Sequence, residues 1–268
     1  MTTAAGRAFD ISASRGGNAR RDPTFGGGQE NIRPVDIPAS LLLLLGRDVE
    51  ISTNPLGCGG FCNVQSAFLK NRGDEEVAVK MVNFKHSNAK TDLAMKIEAL
   101  NMRHLRHKHI VHIEGILLDP RKPDACASIV MQKMDGNLLS FPHLSSMAWK
   151  EKNKLCLQIA EGLRFMHSQN FCHLDLKPEN VLWKRNPDGS FLLVISDFGM
   201  SNVKIATDAD APTLHQDSTS LSNVLSRDRQ DGTPRYMAPE LLTRAMGAAG
   251  AHSDVYAFAM VRFLRALL

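Results

Sequence analysis

The sequence lacks any paired-cysteine pattern. Its five cysteines are odd in number and scattered, and no CxxC pair occurs. Structural zinc sites and disulfide frameworks are built on such pairs. Cys58 and Cys62 are close in sequence, but no second ligand pair accompanies them. We therefore expect all five thiols to be reduced, with neither a zinc site nor a disulfide framework.

Long apolar segments are also missing. The longest unbroken leucine run, Leu41 to Leu45, is too short to span a bilayer, which takes about 20 residues. The N-terminus has no apolar core of signal-peptide length. By elimination we expect a soluble, intracellular protein with no membrane partner, located in the cytoplasm, with the nucleus left open.

Aromatic residues are scarce, at 6% of the chain, and the net charge of +4 is modest. Most of this charge comes from residues 80–108, and "HLRHKH" at 104–109 overlaps the end of this stretch. No zinc finger, RNP-like aromatic pattern or basic helix pair accompanies that stretch. A solvated basic helix face is therefore favoured over a nucleic-acid site, and no nucleic-acid partner is expected.

The chain divides into a tail, a strand-rich part and a helix-rich part. Residues 1–34 are rich in Gly, Arg, Ala, Ser and Asn, which predicts a disordered tail. From 48 to about 134 the pattern predicts a sheet of five strands with one amphipathic helix, whose apolar face at helical spacing is Leu93, Ile97, Leu100 and Leu105. From about 135 to 268 it predicts mainly helix, interrupted by a mobile polar loop at 202–232. One predicted helix there carries Leu155, Ile159, Leu163 and Met166 on one face. The expected fold class is α+β.

Three glycines, Gly57, Gly59 and Gly60, lie between two predicted strands. Glycine lets the backbone approach an anion closely, and free amides there can point at phosphate oxygens. The signal is weak on its own, because glycine-rich hairpin turns are common. It is not a Walker loop, since no GxxxxGK[ST] occurs and no helix follows directly.

Lys80 ends the apolar run "VAVK". Burying an unpaired ammonium group is very costly, so an inward-pointing lysine needs a partner. Glu98 is the best candidate, because it interrupts the apolar face of the predicted helix. Taken alone, an exposed lysine at a strand end would be the favoured explanation of Lys80.

A second polar group occurs in "HLDLKPENVL" at 173–182, and Asp197 follows an apolar strand in "ISDFGMS". Asn180 and Asp197 supply hard oxygen ligands of the kind that Mg²⁺ prefers. Asp175 can accept a proton from a hydroxyl, and Lys177 can neutralise charge on a phosphoryl group. These are the parts that phosphoryl transfer needs. The alternative is a polar loop that happens to lie between two buried segments.

Seven short motifs occur along the chain in a fixed order. They are "LGCGGFCNV" at 56–64, "VAVK" at 77–80, Glu98 followed by "LRHKHIV", "HLDLKPEN" at 173–180, "DFG" at 197–199, "GTPRYMAPE" at 232–240 and "DVYAFAM" at 254–260. In this order and spacing the chain resembles the eukaryotic protein kinase family, and chance is a negligible explanation. "DLKPEN" with "GTPRYMAPE" is similar to the serine/threonine-specific form, within the tyrosine-kinase-like group.

The resemblance implies a two-lobed fold for residues 48–268. The N-lobe, about 48–134, would hold a small five-stranded antiparallel sheet with one helix. The C-lobe, about 135–268, would be mainly helical. Because the chain ends at Leu268, just after the helix that "DVYAFAM" begins, the resemblance implies an incomplete, C-terminally truncated C-lobe.

The resemblance also implies roles for individual residues. Asp175 would be the catalytic base, and Lys177 would accompany the transferred phosphoryl group. Asn180 and Asp197 would hold Mg²⁺. The residues implied to bind ATP are Leu56, Gly57, Cys58, Gly59, Gly60, Phe61, Cys62, Asn63 and Val64 of the loop, Ala78, Lys80 paired with Glu98, Met131 behind the adenine, Gln132 and Met134 of the hinge, and Leu182 of the floor.

The expected function is transfer of the γ-phosphate of Mg·ATP to Ser/Thr hydroxyls of protein substrates. The alternative is a non-catalytic, kinase-like (pseudokinase) module that binds nucleotide or acts as a scaffold. The five residues Lys80, Glu98, Asp175, Asn180 and Asp197 favour the enzyme, because a decayed site is expected to have lost some of them.

Two positions depart from the family's pattern. Cys62 replaces the third loop glycine, so we expect a stiffer loop, a thiol near the phosphates and reduced nucleotide affinity. Leu174 replaces the arginine that commonly pairs with a phosphorylated activation loop, so we expect activity that does not depend on that contact. Candidate phosphoacceptors in the loop, where serines are common by default, are Ser218, Thr219, Ser220, Ser222 and Ser226.

Overall fold

The computed structural model describes most of the chain from Ile37 to Ala266. The described ranges are 37–122, 125–142, 144–199, 202–203, 234–243 and 249–266, with the backbone alone for 202–203 and 263–266. The predicted tail at 1–34 lies outside these ranges. So do the candidate phosphoacceptors between 218 and 226 and nearly all of the predicted loop at 202–232.

Six strands form the sheet of the strand-rich lobe. They are β1 (Leu42–Leu44), β2 (Val49–Cys58), β3 (Cys62–Leu69), β4 (Glu75–Val82), β5 (Ile113–Leu118) and β6 (Ser128–Gln132), in the order β1-β5-β6-β4-β3-β2. Neighbours pair antiparallel except β1, which runs parallel to β5. The predicted five-stranded antiparallel sheet is therefore corrected to six strands, one of them parallel.

The additional strand β1 lies against Gly115 of β5. A Cβ atom at Gly115 would come within 2.7 Å of the Leu41 carbonyl oxygen and within 2.7 Å of Leu43 Cδ1. Glycine is therefore what lets the two segments approach so closely. Sequence reasoning missed β1 because a short leucine run has no alternation of apolar and polar residues.

Helix α1 (Ala89–His104) packs against β5 and β6. It begins after Asn88, whose side-chain Oδ1 accepts the Thr91 N–H at 3.0 Å and so satisfies an amide of the first turn. The residues that α1 buries are Thr91, Leu93, Met95, Glu98, Ala99 and Met102. Ile97 and Leu100, which the spacing placed on the buried face, are only half-buried.

The helix-rich lobe, residues 135–266, contains three α-helices and five short strands among its described residues. They are β7 (Gly136–Asn137), α2 (Trp149–Ser168), β8 (Phe171–Cys172), β9 (Val181–Arg185), β10 (Phe191–Ile195), β11 (Asn202–Val203), α3 (Pro239–Leu242) and α4 (Ala251–Ala266). Helix α2 buries the four residues that its spacing predicted, Leu155, Ile159, Leu163 and Met166. No helix in the described ranges is both long and apolar enough to cross a bilayer.

One hydrophobic core runs through both lobes. It contains residues of the sheet, of α2 and of α4, among them Met131, Ile159 and Val261. Backbone hydrogen bonds also join the lobes, because the Val111 N–H donates to the Ile195 carbonyl at 2.9 Å and the Ile195 N–H donates to the His109 carbonyl at 3.0 Å. The end of β10 is thereby fixed against the strand-rich lobe.

Candidate active site

Lys80 lies between two carboxylates. Its Nζ donates to Glu98 Oε1 at 2.7 Å and to Asp197 Oδ1 at 3.0 Å. Lys80 is only 8% exposed and Glu98 only 5%. Burial alone would lower the pKa of Lys80, but Asp197, Glu98 and, less strongly, Cys62 outweigh it and hold that pKa above its ordinary value. The lysine is therefore a fixed cation.

Each member of this trio comes from a different element. Lys80 lies in β4, paired with Val64 of β3 and with Ile129 of β6. Glu98 is on the buried face of α1. Asp197 follows β10 and has φ +65, a left-handed conformation that is uncommon outside glycine. The trio exists only when the sheet, α1 and the helix-rich lobe are folded together.

Asp175, Lys177 and Asn180 form a second polar cluster. Lys177 Nζ donates to Asp175 Oδ2 at 2.9 Å. Asn180 Nδ2 donates to the Asp175 carbonyl at 2.8 Å and to Oδ2 at 3.2 Å. The Asp175 side chain is 20% exposed, whereas Asn180 is buried. The carboxylate is thus oriented by two donors and still reachable from solvent.

Ser196 connects the two clusters. Its backbone N–H and its hydroxyl both donate to the Asn180 carbonyl, at 2.9 and 3.1 Å. Its own carbonyl accepts His173 Nε2 at 2.9 Å, while His173 Nδ1 accepts the Asp175 N–H at 3.2 Å. His173 is therefore the neutral tautomer with hydrogen on Nε2. Because Ser196 precedes Asp197, this network fixes the spacing between the clusters.

Asp254, at the start of α4, supports the segment that carries Asp175. It is fully buried and accepts the backbone N–H of His173 at 2.8 Å, the N–H of Leu174 at 2.7 Å and His167 Nε2 at 2.8 Å. Leu174 has φ +63, so these bonds hold a strained backbone. This role of Asp254 was not predicted from the sequence. The signal that could have indicated it is an acidic residue at the start of an otherwise apolar helix.

Two of the three glycines at the β2–β3 hairpin, Gly57 in β2 and Gly60 in the turn, are not required by the fold itself. Gly57, Gly59 and Gly60 are exposed and have no left-handed φ. A Cβ atom at Gly57 or Gly60 would meet nothing within 4 Å, and one at Gly59 would meet only the Cys62 carbonyl oxygen, at 3.1 Å. The space beside Gly57 and Gly60 is open to a ligand.

The residues predicted to bind ATP, apart from the Lys80–Glu98 pair and the glycines, separate into two groups. Six of them lie in or against the large core cluster: Ala78, Met131 and Met134 are buried, and Cys62, Val64 and Leu182 pack partly buried beside them. Gln132 is half-buried and pairs with Val77. The remaining loop residues lie outside this group: Leu56 is 42% exposed, Cys58 pairs with Asn63 at the end of the hairpin, and the Phe61 ring stacks on His86.

Asn180 of the second cluster and Asp197 of the Lys80 trio carry donor atoms that fit Mg²⁺ better than a transition metal. Among the residues that the structure describes, no three His, Cys, Asp or Glu side chains are grouped to hold a metal ion. Asn180 and Asp197 offer one amide and one carboxylate. Mg²⁺ characteristically takes one or two protein oxygens and completes its shell with phosphates and water.

The comparison with known proteins reports one family and several relatives. The family described as "Protein kinase domain" matches residues 51–264. Human "Receptor-interacting serine/threonine-protein kinase 1" is 30% identical over 210 residues, covering 77% of this chain and 29% of that protein. "Calcium/calmodulin-dependent protein kinase type 1" of Macrobrachium nipponense is 28% identical over 219 residues, covering 81% and 56%.

A plant relative is similar to the same part of the chain. "CBL-interacting serine/threonine-protein kinase 20" of Arabidopsis thaliana is 32% identical over 213 residues, covering 78% of this chain and 43% of that protein. The chain therefore spans between 29% and 56% of the length of these three relatives.

Proposed function

Since the chain belongs to the protein kinase family and is of the serine/threonine type, we propose that it transfers the γ-phosphate of ATP to serine or threonine hydroxyls of protein substrates. The observation that carries the proposal is the buried ammonium of Lys80 between Glu98 and Asp197. A charged lysine held between two carboxylates suits the binding of anionic phosphates.

Each of four side chains has a separate role in the proposed reaction. Lys80 binds phosphate oxygens, and Glu98 keeps its ammonium in place. Asp175 orients the substrate hydroxyl and takes its proton onto the carboxylate, as a positioned general base does. Lys177, 2.9 Å from that carboxylate, neutralises negative charge on the phosphoryl group.

Mg²⁺, when bound, neutralises and orients the phosphates. Asn180 and Asp197 are the residues that would hold it. The adenine ring would lie among the apolar side chains of Val64, Ala78 and Leu182, which belong to or pack against one core cluster. The open space beside Gly57 and Gly60 leaves room for the phosphates.

The test is transfer of labelled γ-phosphate to a generic protein substrate. Wild type is compared with Asp175→Asn and Lys80→Met, and with Asp188→Asn, which changes a carboxylate in an exposed turn. We expect Asp175→Asn to lower turnover by about 10²–10⁴-fold, as loss of a general base does. Lys80→Met should also abolish transfer, while Asp188→Asn should not. Circular dichroism establishes that each variant is folded.

Two results would contradict the proposal. Equal signal in wild type, Asp175→Asn and Lys80→Met would come from a contaminating kinase. No transfer by wild type, together with a rise in melting temperature on adding Mg·ATP, would identify a non-catalytic nucleotide-binding module instead, because ligands that bind only the folded state stabilise it.

A further inference from the structure

Asn83, the residue after β4, binds three consecutive carbonyl groups of the glycine-rich turn. Its side-chain Nδ2 donates to the Gly59 carbonyl at 2.9 Å and to the Gly60 carbonyl at 2.7 Å. Its backbone N–H donates to the Phe61 carbonyl at 2.9 Å. Asn83 lies outside every sequence motif described above, so none of them accounts for this arrangement.

These hydrogen bonds fix the direction of the turn's amides. The peptide bonds are trans, and in a planar trans peptide the carbonyl of one residue and the N–H of the next point in opposite directions. With the carbonyls of Gly59, Gly60 and Phe61 directed at Asn83, the N–H groups of Gly60, Phe61 and Cys62 point away from it. Successive amides that face one way form a binding surface for anions.

The same segment is tied to the start of α1. The Phe61 ring stacks on the His86 ring with 5.2 Å between centroids. The His86 carbonyl accepts the Thr91 hydroxyl at 2.8 Å and Asn88 Nδ2 at 3.2 Å. Asn88 Oδ1 in turn accepts the Thr91 N–H in the first turn of α1, the helix that carries Glu98. A contact path therefore leads from the turn to the partner of Lys80.

The Asn83 side chain is not arranged for stability alone. Its Oδ1 is buried and has no hydrogen-bond partner among the described residues. A buried acceptor without a partner is unfavourable, and sites that break such a rule are often functional. The two bonds from Nδ2 to the turn are what this orientation of the side chain provides.

We propose that Asn83 is a positioning residue for the phosphate-binding turn. It holds the carbonyls of Gly59 and Gly60 so that the following amides face the nucleotide phosphates, and through His86 it ties the turn to α1. This inference rests on the proposed function for its ligand. The restriction that Asn83 places on the motion of the turn can, however, be measured without any nucleotide.

The test is Asn83→Asp, which keeps the size of the side chain and replaces the donor by an oxygen that repels both carbonyls. The matched control is Asn71→Asp, which adds the same charge at an exposed position of the same lobe. Hydrogen exchange of residues 56–64 in nucleotide-free protein reports the turn. We expect exchange to be about tenfold faster in Asn83→Asp, from the loss of two hydrogen bonds, and unchanged in Asn71→Asp.

Kinetics separate positioning from general damage. In Asn83→Asp the KM for ATP should rise about tenfold while kcat stays within about twofold, because the turn contributes to nucleotide binding and not to the general base. His86→Ala is the second variant, since it removes the ring stack and leaves Asn83 in place. It should accelerate exchange of the turn by a smaller factor.

Unchanged exchange in Asn83→Asp overturns the proposal, as does faster exchange with unchanged KM. Equal effects in Asn71→Asp also overturn it, because they would come from charge alone. A wild-type protein that neither binds nor turns over ATP overturns the proposed function and the turn's role in phosphate binding, and the exchange rates then still decide whether Asn83 holds the turn.

Discussion

Lys80 Nζ lies 3.0 Å from Asp197 Oδ1, although 117 residues separate the two in the chain. The lysine belongs to the sheet and the aspartate to the helix-rich lobe. The same ammonium also binds Glu98 at 2.7 Å. One buried cation therefore connects both lobes and α1, so its removal affects stability as well as chemistry.

Lys80→Met should destabilise the protein, because Glu98 would stay buried after losing its cation. Breaking a buried ion pair from one side costs about 3–5 kcal/mol. The double variant Lys80→Met/Glu98→Gln should lose less than the sum of the two single variants. Urea unfolding of all four proteins measures this; strictly additive losses would show that the two groups are not coupled.

Gly115→Ala should lower the stability of the fold, whereas Gly60→Ala should lower nucleotide affinity and leave stability nearly unchanged. A Cβ atom at Gly115 would approach the Leu41 carbonyl oxygen to 2.7 Å, so we expect a loss of about 1–3 kcal/mol from overpacking. A Cβ atom at Gly60 meets nothing within 4 Å, so stability should change by less than about 0.5 kcal/mol. Nucleotide affinity should fall in Gly60→Ala alone. Thermal unfolding and ATP titration check this, and a destabilised Gly60→Ala would contradict it.

Asp254→Ala should impair turnover from a position away from the reacting groups. It would leave the backbone N–H groups of His173 and Leu174 without their acceptor, and Leu174 would lose the bond that holds its φ of +63. We expect a loss of about 2–5 kcal/mol and a fall in kcat larger than the change in KM. Asp188→Asn, in an exposed turn, is the control. A normal kcat in Asp254→Ala would show that Asp254 does not position the segment that carries Asp175.

His107 should make the protein less stable in mild acid. Burial, then electrostatic repulsion from His109 and Lys108, lowers the pKa of His107 below its ordinary value. The unfolded chain therefore takes up this proton first as the pH falls below about 6.5. The stability that His107 contributes is present above that pH and is lost as the pH falls through its lowered pKa.

The corresponding measurement is urea unfolding between pH 7.5 and 5.5. His107→Gln has no proton to gain at this position, so its stability should fall less over the interval than that of wild type. His104→Gln, at an exposed histidine, should behave like wild type. Parallel curves for wild type and His107→Gln would refute the assignment.

Sequence reasoning predicted the Lys80–Glu98 pair because a buried ammonium requires a counter-charge, and that requirement is visible in a single chain. It did not predict that Asp197 would also bind Lys80, because this contact depends on how the two lobes pack. Asp254 was missed for a different reason. Its partners include backbone N–H groups of His173 and Leu174, so the one available signal, an acid at the start of an apolar helix, could not indicate what Asp254 binds.

The secondary-structure elements also divide into those that the sequence alone predicts and those that depend on packing between distant segments. The four apolar residues at helical spacing in α2 are all buried, since a long amphipathic helix determines its own buried face. In α1 the buried face includes Met95, Ala99 and Met102, and leaves Ile97 and Leu100 half-buried, because packing against β5 and β6 selects the face. Strand β1 depends on a non-local parallel pairing, and the only feature of the sequence that accompanies this pairing is Gly115 in β5.

Strand β1 lies ahead of residue 51, where the family match begins, and it covers one edge of the sheet by pairing with Ile116, Leu117 and Leu118. A protein shortened to residues 51–268 would present these apolar residues on an unprotected edge strand. A strand from a second molecule could then pair with that edge by backbone hydrogen bonds. Self-association would then reflect the missing segment and not the native behaviour of the domain.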